Sequence, residues 1–386
     1  MTVTYDGTAS YLPIPSTTTD CKAYIIDLIQ KGANRMESRP SKDCELVSSR
    51  GIIYDYSAIL AGEVLRLLPP SQRLEARSAS DWDDYELYLL GICIQKINIG
   101  DFIQKIWNQE TPLGASSLCT TLTTELQSLD FNSVESYEND IDVRASVLHM
   151  DPIVKSIYLL NNFRNSEAAV DAFVTLLLLR VGFGGGESDI SSLSLIDMSV
   201  LIGMLFPLPQ LSLPLRYSKD RKPTIAKADF IILDLLSFYR MAVFEDKNAA
   251  ADSDSEQSTS QLIAEAIAAQ QYNLVQFDKG AFSPGAIMGA DDGKSCGVDS
   301  IFGVKVIGCK FFFYVIPISA AILKAMETMS RAEEITTVFQ LESGFDFRFP
   351  PDREIIIYIL DQMRQNIERK GIQSPRRNFE IRRKAK

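Results

Sequence analysis

The chain has 386 residues, 46% of them hydrophobic and 23% charged, which is enough to bury a large core. Its net charge is −11, and the acid lies early: residues 1–200 carry 15 Lys and Arg against 27 Asp and Glu, while the remainder is nearly balanced. A single histidine, His149, and six cysteines without a CxxC pair exclude His-rich zinc sites and two-histidine acid–base schemes, and predict reduced, mostly buried thiols in a cytoplasmic protein.

Residues 1–20 are rich in Thr and Pro, with only Tyr5, Tyr11, Leu12 and Ile14 as apolar anchors, and predict an extended arm. Helical spacing then predicts helices over Cys21–Gln30, Ile52–Leu68 and Asp83–Asn98, with Asp101 capping FIQKIW. Further helices are predicted over Ser117–Leu129, Val143–Asn161 and Glu167–Val181, with His149 in a capping or surface role. The glycines of GFGGGESD follow a helix rather than a strand and lack a phosphate-binding spacing, so they read as a loop.

Ser192–Leu215 is the longest apolar run, but Asp197, Pro207, Pro209 and Pro214 interrupt it, which predicts a buried helix to Phe206 and a proline-punctuated crossing rather than a membrane span. The stretch Arg216–Phe244 then gathers Arg216, Lys219, Arg221, Lys222 and Lys227 ahead of an apolar helix, with Arg240 near its polar edge. Cations at the mouth of a packed helix can form a phosphate-binding wall. Glu245–Gln261 is polar without periodicity and predicts a long exposed loop, after which helix resumes over Leu262–Gln271. Gly293-Lys294-Ser295 is no P-loop, because Met288 stands where its first glycine is needed and Asp291 and Asp292 would repel phosphate.

GVKVIGCKFFFYVI at 303–316 is the one convincing β stretch. A helix runs from Pro317 to Met329, and Ser330 with Glu333 forms a capping-box signal for another. FDFRFPPD is an aromatic turn, Asp352 caps a helix with the stripe Ile356, Leu360, Met363 and Ile367, and a basic tail follows Gly371. The fold class expected is therefore mainly α: a helical lobe over 21–215, a second lobe over 216–371 with a minor β element at 303–316, and terminal arms at 1–20 and 372–386.

Arg50-Gly51-Ile52-Ile53-Tyr54, followed by DWDDYELYLLG at 81–91, is similar to the rhabdoviral first-lobe pattern. With the order arm, acidic lobe, basic seam, second lobe and arm, the chain resembles the nucleoproteins of nonsegmented negative-strand RNA viruses, including the mymonavirus-type branch of fungi. Where that pattern has an arginine soon after YLLG, Ile94 stands here and Lys96 is the nearest cation. The resemblance implies a non-enzymatic, cofactor-free and metal-free protein that clamps single-stranded RNA between two lobes without reading its sequence. It also implies arms that join copies into an oligomer, a viral polymerase complex as partner, no membrane contact, and a place in the host cytoplasm, in a ribonucleoprotein or virion. The RNA-binding candidates are Lys155, Arg164, Arg180, Arg216, Lys219, Arg221, Lys222, Lys227 and Arg240. The alternatives are an α-rich capsid or scaffold protein assembling without nucleic acid, and a carboxylate-based enzyme for which no constellation stands out in the sequence.

Overall fold

The computed structural model describes residues 74–108, 110–127, 151–162, 166–184, 205–218, 220–234, 240–247, 256–280 and 300–372. Asp83 starts α1 (Asp84–Leu89) with a capping box, its carboxylate accepting the Tyr85 N–H at 2.8 Å while Glu86 accepts the Asp83 N–H at 2.9 Å. The single helix expected to Asn98 stops there. Gly91 adopts a left-handed φ of 63° that closes the helix, and the β-branched run Ile92–Ile97 leaves as strand β1.

Asn98 caps α2 (Ile99–Ile106) by accepting the Asp101 N–H, and α3 (Ser117–Gln127), α4 (Pro152–Asn162) and α5 (Glu167–Arg180) follow. Next come β2 (Leu205–Leu215), β3 (Thr224–Asp234), β4 (Arg240–Lys247) and α6 (Glu256–Gly280). The chain continues through β5 (Ser300–Ile307), β6 (Lys310–Pro317), α7 (Ala320–Thr328), β7 (Thr336–Leu341), β8 (Phe345–Asp346) and α8 (Pro350–Ile372).

The strands form one eight-stranded mixed sheet in the order β1-β7-β6-β5-β4-β3-β2, with β8 on β6. This overturns the expectation of a mainly α fold of two helical lobes. The cause is local: FIILD in β3, MAVF in β4 and VKVI in β5 are buried on both faces, so they read as continuous apolar runs with no period of two. LPQLSLPL, expected as a crossing, belongs to β2, whose prolines are tolerated because β2 is the edge strand. The residues expected to form a helix after the basic loop lie in β3 and β4, and β2 pairs with β3 from Leu205↔Asp234 to Leu215↔Thr224. The boundary drawn at Leu215 thus falls inside a hairpin.

Two smaller expectations also change. Glu245, Asp246 and Lys247 end β4 instead of opening an exposed loop, and Glu245 and Asp246 are fully buried. After α7, Met329 takes a left-handed φ of 51°, and Ser330 with Glu333 leads into β7 rather than into a helix. The helices expected at α3, α5 and α7 are present, as is the fully buried stripe Ile356, Leu360, Met363 and Ile367 of α8. The arm at 1–20, the helices at 21–30 and 52–68, the Arg50–Tyr54 segment, His149, residues 192–204, Gly293–Ser295 and the basic tail from 373 lie outside the described residues.

Strands β4 and β5 are parallel, so the chain must cross over between them, and α6 makes that crossing against β2, β3, β4 and β5. Gly303 lets it approach: a Cβ there would lie 3.1 Å from Leu262 of α6 and 2.8 Å from Ile316. On the opposite face α5 brings Phe173 edge-on to Phe311 of β6 and to Phe347, with ring centres 5.9 and 5.3 Å apart. Phe311→Ala leaves a cavity at this junction and is expected to cost about 3–5 kcal/mol, read as a lowered Tm and denaturation midpoint. Among the described residues Cys93, Cys119 and Cys309 are buried free thiols, and no helix is long and apolar enough to cross a membrane.

Candidate functional site

The site forms where β3 begins and β4 ends. The β3–β4 ladder ends at Phe230↔Phe244, and extending its antiparallel register by one residue places Asp229 across from Glu245. Strand alternation then gives Glu245 and Lys247 the α6 face and turns Asp246 toward α5. Lys247 ion-pairs with Glu245.

Asp229 is held from both sides. Gln210, with a φ of 52°, faces Asp229 across the unshifted β2–β3 register, and its Nε2 lies 3.3 Å from Asp229 Oδ1. The Asp246 N–H donates to Asp229 Oδ2 at 2.7 Å. From α6, Glu265 lies near enough to Glu245 for their charges to act on each other, while its Oε1 accepts Gln261 Nε2 at 3.0 Å. Glu167 and Asp171 of α5 and Lys227 of β3 lie near enough for their charges to act on this cluster.

Crowding of carboxyls and loss of water shift these groups together. Burial, then the charge of Asp229, pushes Glu245 up to about 7 against the opposing pull of Lys247. Burial, then Asp229 and Glu167, pushes Asp171 up to about 6. Burial foremost also raises Asp229, and raises the wholly enclosed Asp246 and Glu265 far above the carboxylate range. For Lys247, burial works downward but is outweighed by Glu245, Asp229 and Glu167, so its net shift is upward. The cluster is enclosed at Glu245 and Glu265, whereas Asp229 and Lys247 are half-buried and Glu167 and Lys227 exposed, so the site is open to solvent on one side.

Two carboxylates, Asp229 and Glu245, come together here from neighbouring strands. Glu245 Oε2 has no hydrogen-bond donor despite complete burial, and Asp229 stands opposite it. Among the described residues no group of three or more His, Cys, Asp and Glu could hold a metal ion. Two carboxylates with water and substrate oxygens filling the other positions is the way Mg²⁺ binds beside phosphates.

The predicted RNA-binding cations divide. Arg216, Arg221 and Lys222 are exposed at the tip of the β2–β3 hairpin and form no ion pair among the described residues. Gln271 fixes this tip by accepting the Arg216 N–H at 2.8 Å and donating to the Arg216 carbonyl at 2.7 Å. Lys227 is exposed on β3, two residues before Asp229 and on the same face. Arg180 is instead committed to Asp151 at 2.9 Å and Glu125 at 2.8 Å, and Arg240 is buried with its guanidinium 3.3 Å from the Tyr272 ring centre. Lys155 is half-buried on α4, which packs on α5, and Arg164 and Lys219 lie outside the described residues.

Asp229, Glu245, Lys247 and Glu265 do not stand out in the sequence, because Glu245 and Lys247 merge there with the polar stretch behind them. Their signal is an acidic residue at the start of one strand-length apolar run and an acid-x-lysine triplet at the end of the next. No family model matches the chain, and no curated protein or solved structure matches it either.

Proposed function

We propose that the protein is a divalent-cation-dependent phosphodiesterase acting on nucleic acid, with Asp229 and Glu245 as cation ligands and Lys247 beside them. The observation that carries this reading is the placing of Asp229, held by the Asp246 N–H, across from Glu245, which ion-pairs with Lys247. A cation bound there would polarise a phosphoryl oxygen and lower the pKa of an attacking water. Gln210 and the Asp246 N–H orient Asp229, so little reorganisation is needed when it binds. Lys247, kept charged by its acidic neighbours, offers a second positive charge as negative charge builds on the phosphoryl oxygens. The exposed cations of the β2–β3 hairpin supply backbone contacts along a polyanionic substrate, which favours nucleic acid over a small phosphodiester.

Incubation of the purified protein with labelled single- and double-stranded DNA and RNA tests the reading. Cleavage is expected with Mg²⁺ or Mn²⁺ and none in EDTA; intact substrates with every cation would reject it. Replacing Arg216, Lys219, Arg221 and Lys222 by Ala should weaken nucleic-acid binding and flatten its salt dependence, by roughly one unit of log–log slope for each phosphate no longer neutralised. Unchanged affinity and slope in the folded variant would remove the hairpin from the substrate path.

A second reading draws on the same hairpin. The RNA coat implied by the resemblance to viral nucleoproteins needs exposed cations and no cleavage, and Arg216, Arg221 and Lys222 meet that need. It makes no use of Asp229, Glu245 and Lys247. Co-purified RNA that survives incubation with Mn²⁺ would favour it.

A further inference from the structure

The rows of side chains that run through Glu245 and Lys247 continue past β4 onto the next two strands. Partners in register share a face, so Glu245 of β4, Lys305 of β5 and Phe312 of β6 form one row. Lys247, Ile307 and Lys310 form the next, toward the end of the sheet. Lys310 therefore lies two strands beyond Lys247, about 10 Å away by strand spacing. The hairpin with Arg216, Arg221 and Lys222 lies on the other side of the site, beyond β4 in the order of the sheet. The turn that carries Lys310 is tied to the site, because Gly308 donates its N–H to the Lys247 carbonyl at 3.0 Å.

The side chain of Lys310 is held in place. It is half-buried, and its Nζ stands 5.3 Å from the centre of the Phe312 ring. Gly344 leaves the room for this contact, since a Cβ there would lie 2.5 Å from Phe312 Cε1 and 2.8 Å from Lys310 Cε. Lys305 also lies over the Phe312 ring, at 5.0 Å, but it is buried and donates to Thr259 of α6 at 3.2 Å, so Lys310 is the one of the two that reaches solvent. The acid in register with Lys310 is Asp346, and it is taken: Arg348 donates to it from Nε at 3.0 Å and from Nη2 at 2.7 Å. Lys310 itself forms no ion pair among the described residues. An ammonium already fixed in this way loses little freedom on meeting a phosphate.

We propose that Lys310 is a phosphate subsite for a nucleic-acid strand, so that a strand lying over the β2–β3 hairpin crosses the end of the sheet past Lys227 and Lys247 and is held again at Lys310. This rests on the reading of the β3–β4 site as a phosphodiesterase centre. Contacts on both sides of the scissile phosphate fix it over the carboxylates, whereas the hairpin alone leaves one side of the strand free to swing.

Lys310→Met tests the assignment because it keeps the stem over Phe312 and removes the charge, which Lys310→Arg restores. Binding of labelled single-stranded DNA is measured by fluorescence anisotropy in EDTA, over a range of salt concentrations. Lys310→Met is expected to lose roughly 0.7 of a unit of log–log slope, a loss of about fivefold in affinity at about 0.1 M salt, while Lys310→Arg binds as the wild type does. A merely structural Lys310 would leave the slope in place, which would overturn the proposal, and so would an equal loss in Lys310→Arg. A second measurement locates the contact. With Mn²⁺ present, a single neutral methylphosphonate at one position to one side of the cut should slow the wild type by about fivefold and slow Lys310→Met no further. Equal slowing of both proteins at every position would overturn the subsite. A lost slope in a protein that cleaves nothing would keep the subsite and reject the phosphodiesterase reading instead.

Discussion

Glu245→Gln is expected to abolish cleavage while making the cation-free protein more stable above neutral pH. The substitution keeps the size of the side chain but removes a ligand charge, and loss of cation-dependent stabilisation at the phosphoryl centre should lower the rate by about a thousandfold or more, equivalent to roughly 4 kcal/mol. The stability gain follows from the enclosure of Glu245, fully buried between Asp229 and Glu265. An ionised carboxylate there is a cost the fold bears for the site, and an amide removes it. At pH 8 the gain should be on the order of 2 kcal/mol, a rise in Tm of about 2–3 °C, and at pH 4 it should largely vanish because Glu245 is then mostly protonated in both states. A variant that is less stable at pH 8, or that cleaves at the wild-type rate, would contradict the role given to Glu245.

Stability of the wild-type protein should fall with rising pH and be restored by a divalent cation. Glu245 titrates at about 7 in the folded protein against an ordinary 4.5, and Asp171 at about 6 against 3.8. Both folded values are raised, so the stabilisation is complete below the ordinary value and is lost as pH rises through the folded one. The window is therefore about pH 4 to pH 7, in the opposite direction to an acid-labile salt bridge. Cation binding needs ionised ligands, so Mn²⁺ should add little at pH 5 and much at pH 8, about 2.7 kcal/mol when its concentration is a hundred times Kd. Thermal melts across this range, with Mn²⁺ and with EDTA, measure both slopes. A Tm that rises with pH in EDTA would contradict the buried-acid cluster.

Local helix chemistry was legible in the sequence, and the sheet was not. Glu167–Arg180, Ala320–Thr328 and the Ile356–Ile367 stripe carry helical spacing that their surroundings do not override. Strands β3, β4 and β5 lie at the centre of the sheet and are covered on both faces, which erases the alternation by which a strand is recognised. The site was hidden for a related reason. Asp229 and Glu245 stand on different strands and meet only through the β3–β4 register, while Glu265 arrives on a helix that crosses to the next strand. The basic hairpin was visible as a cluster of cations, but not that Arg240 would turn inward to Tyr272 and away from any substrate.

Calorimetric titration of Mn²⁺ into the protein at pH 8, for the wild type and for Asp229→Asn, bears most directly on the central claim. Asp229 lies opposite Glu245 and is oriented by Gln210 and the Asp246 N–H, so its charge is the part of the site that Asn cannot replace. The account predicts saturable binding to the wild type and a loss of at least about tenfold in affinity for the variant, with both proteins folded. No binding to the wild type, or equal binding to both, would contradict it.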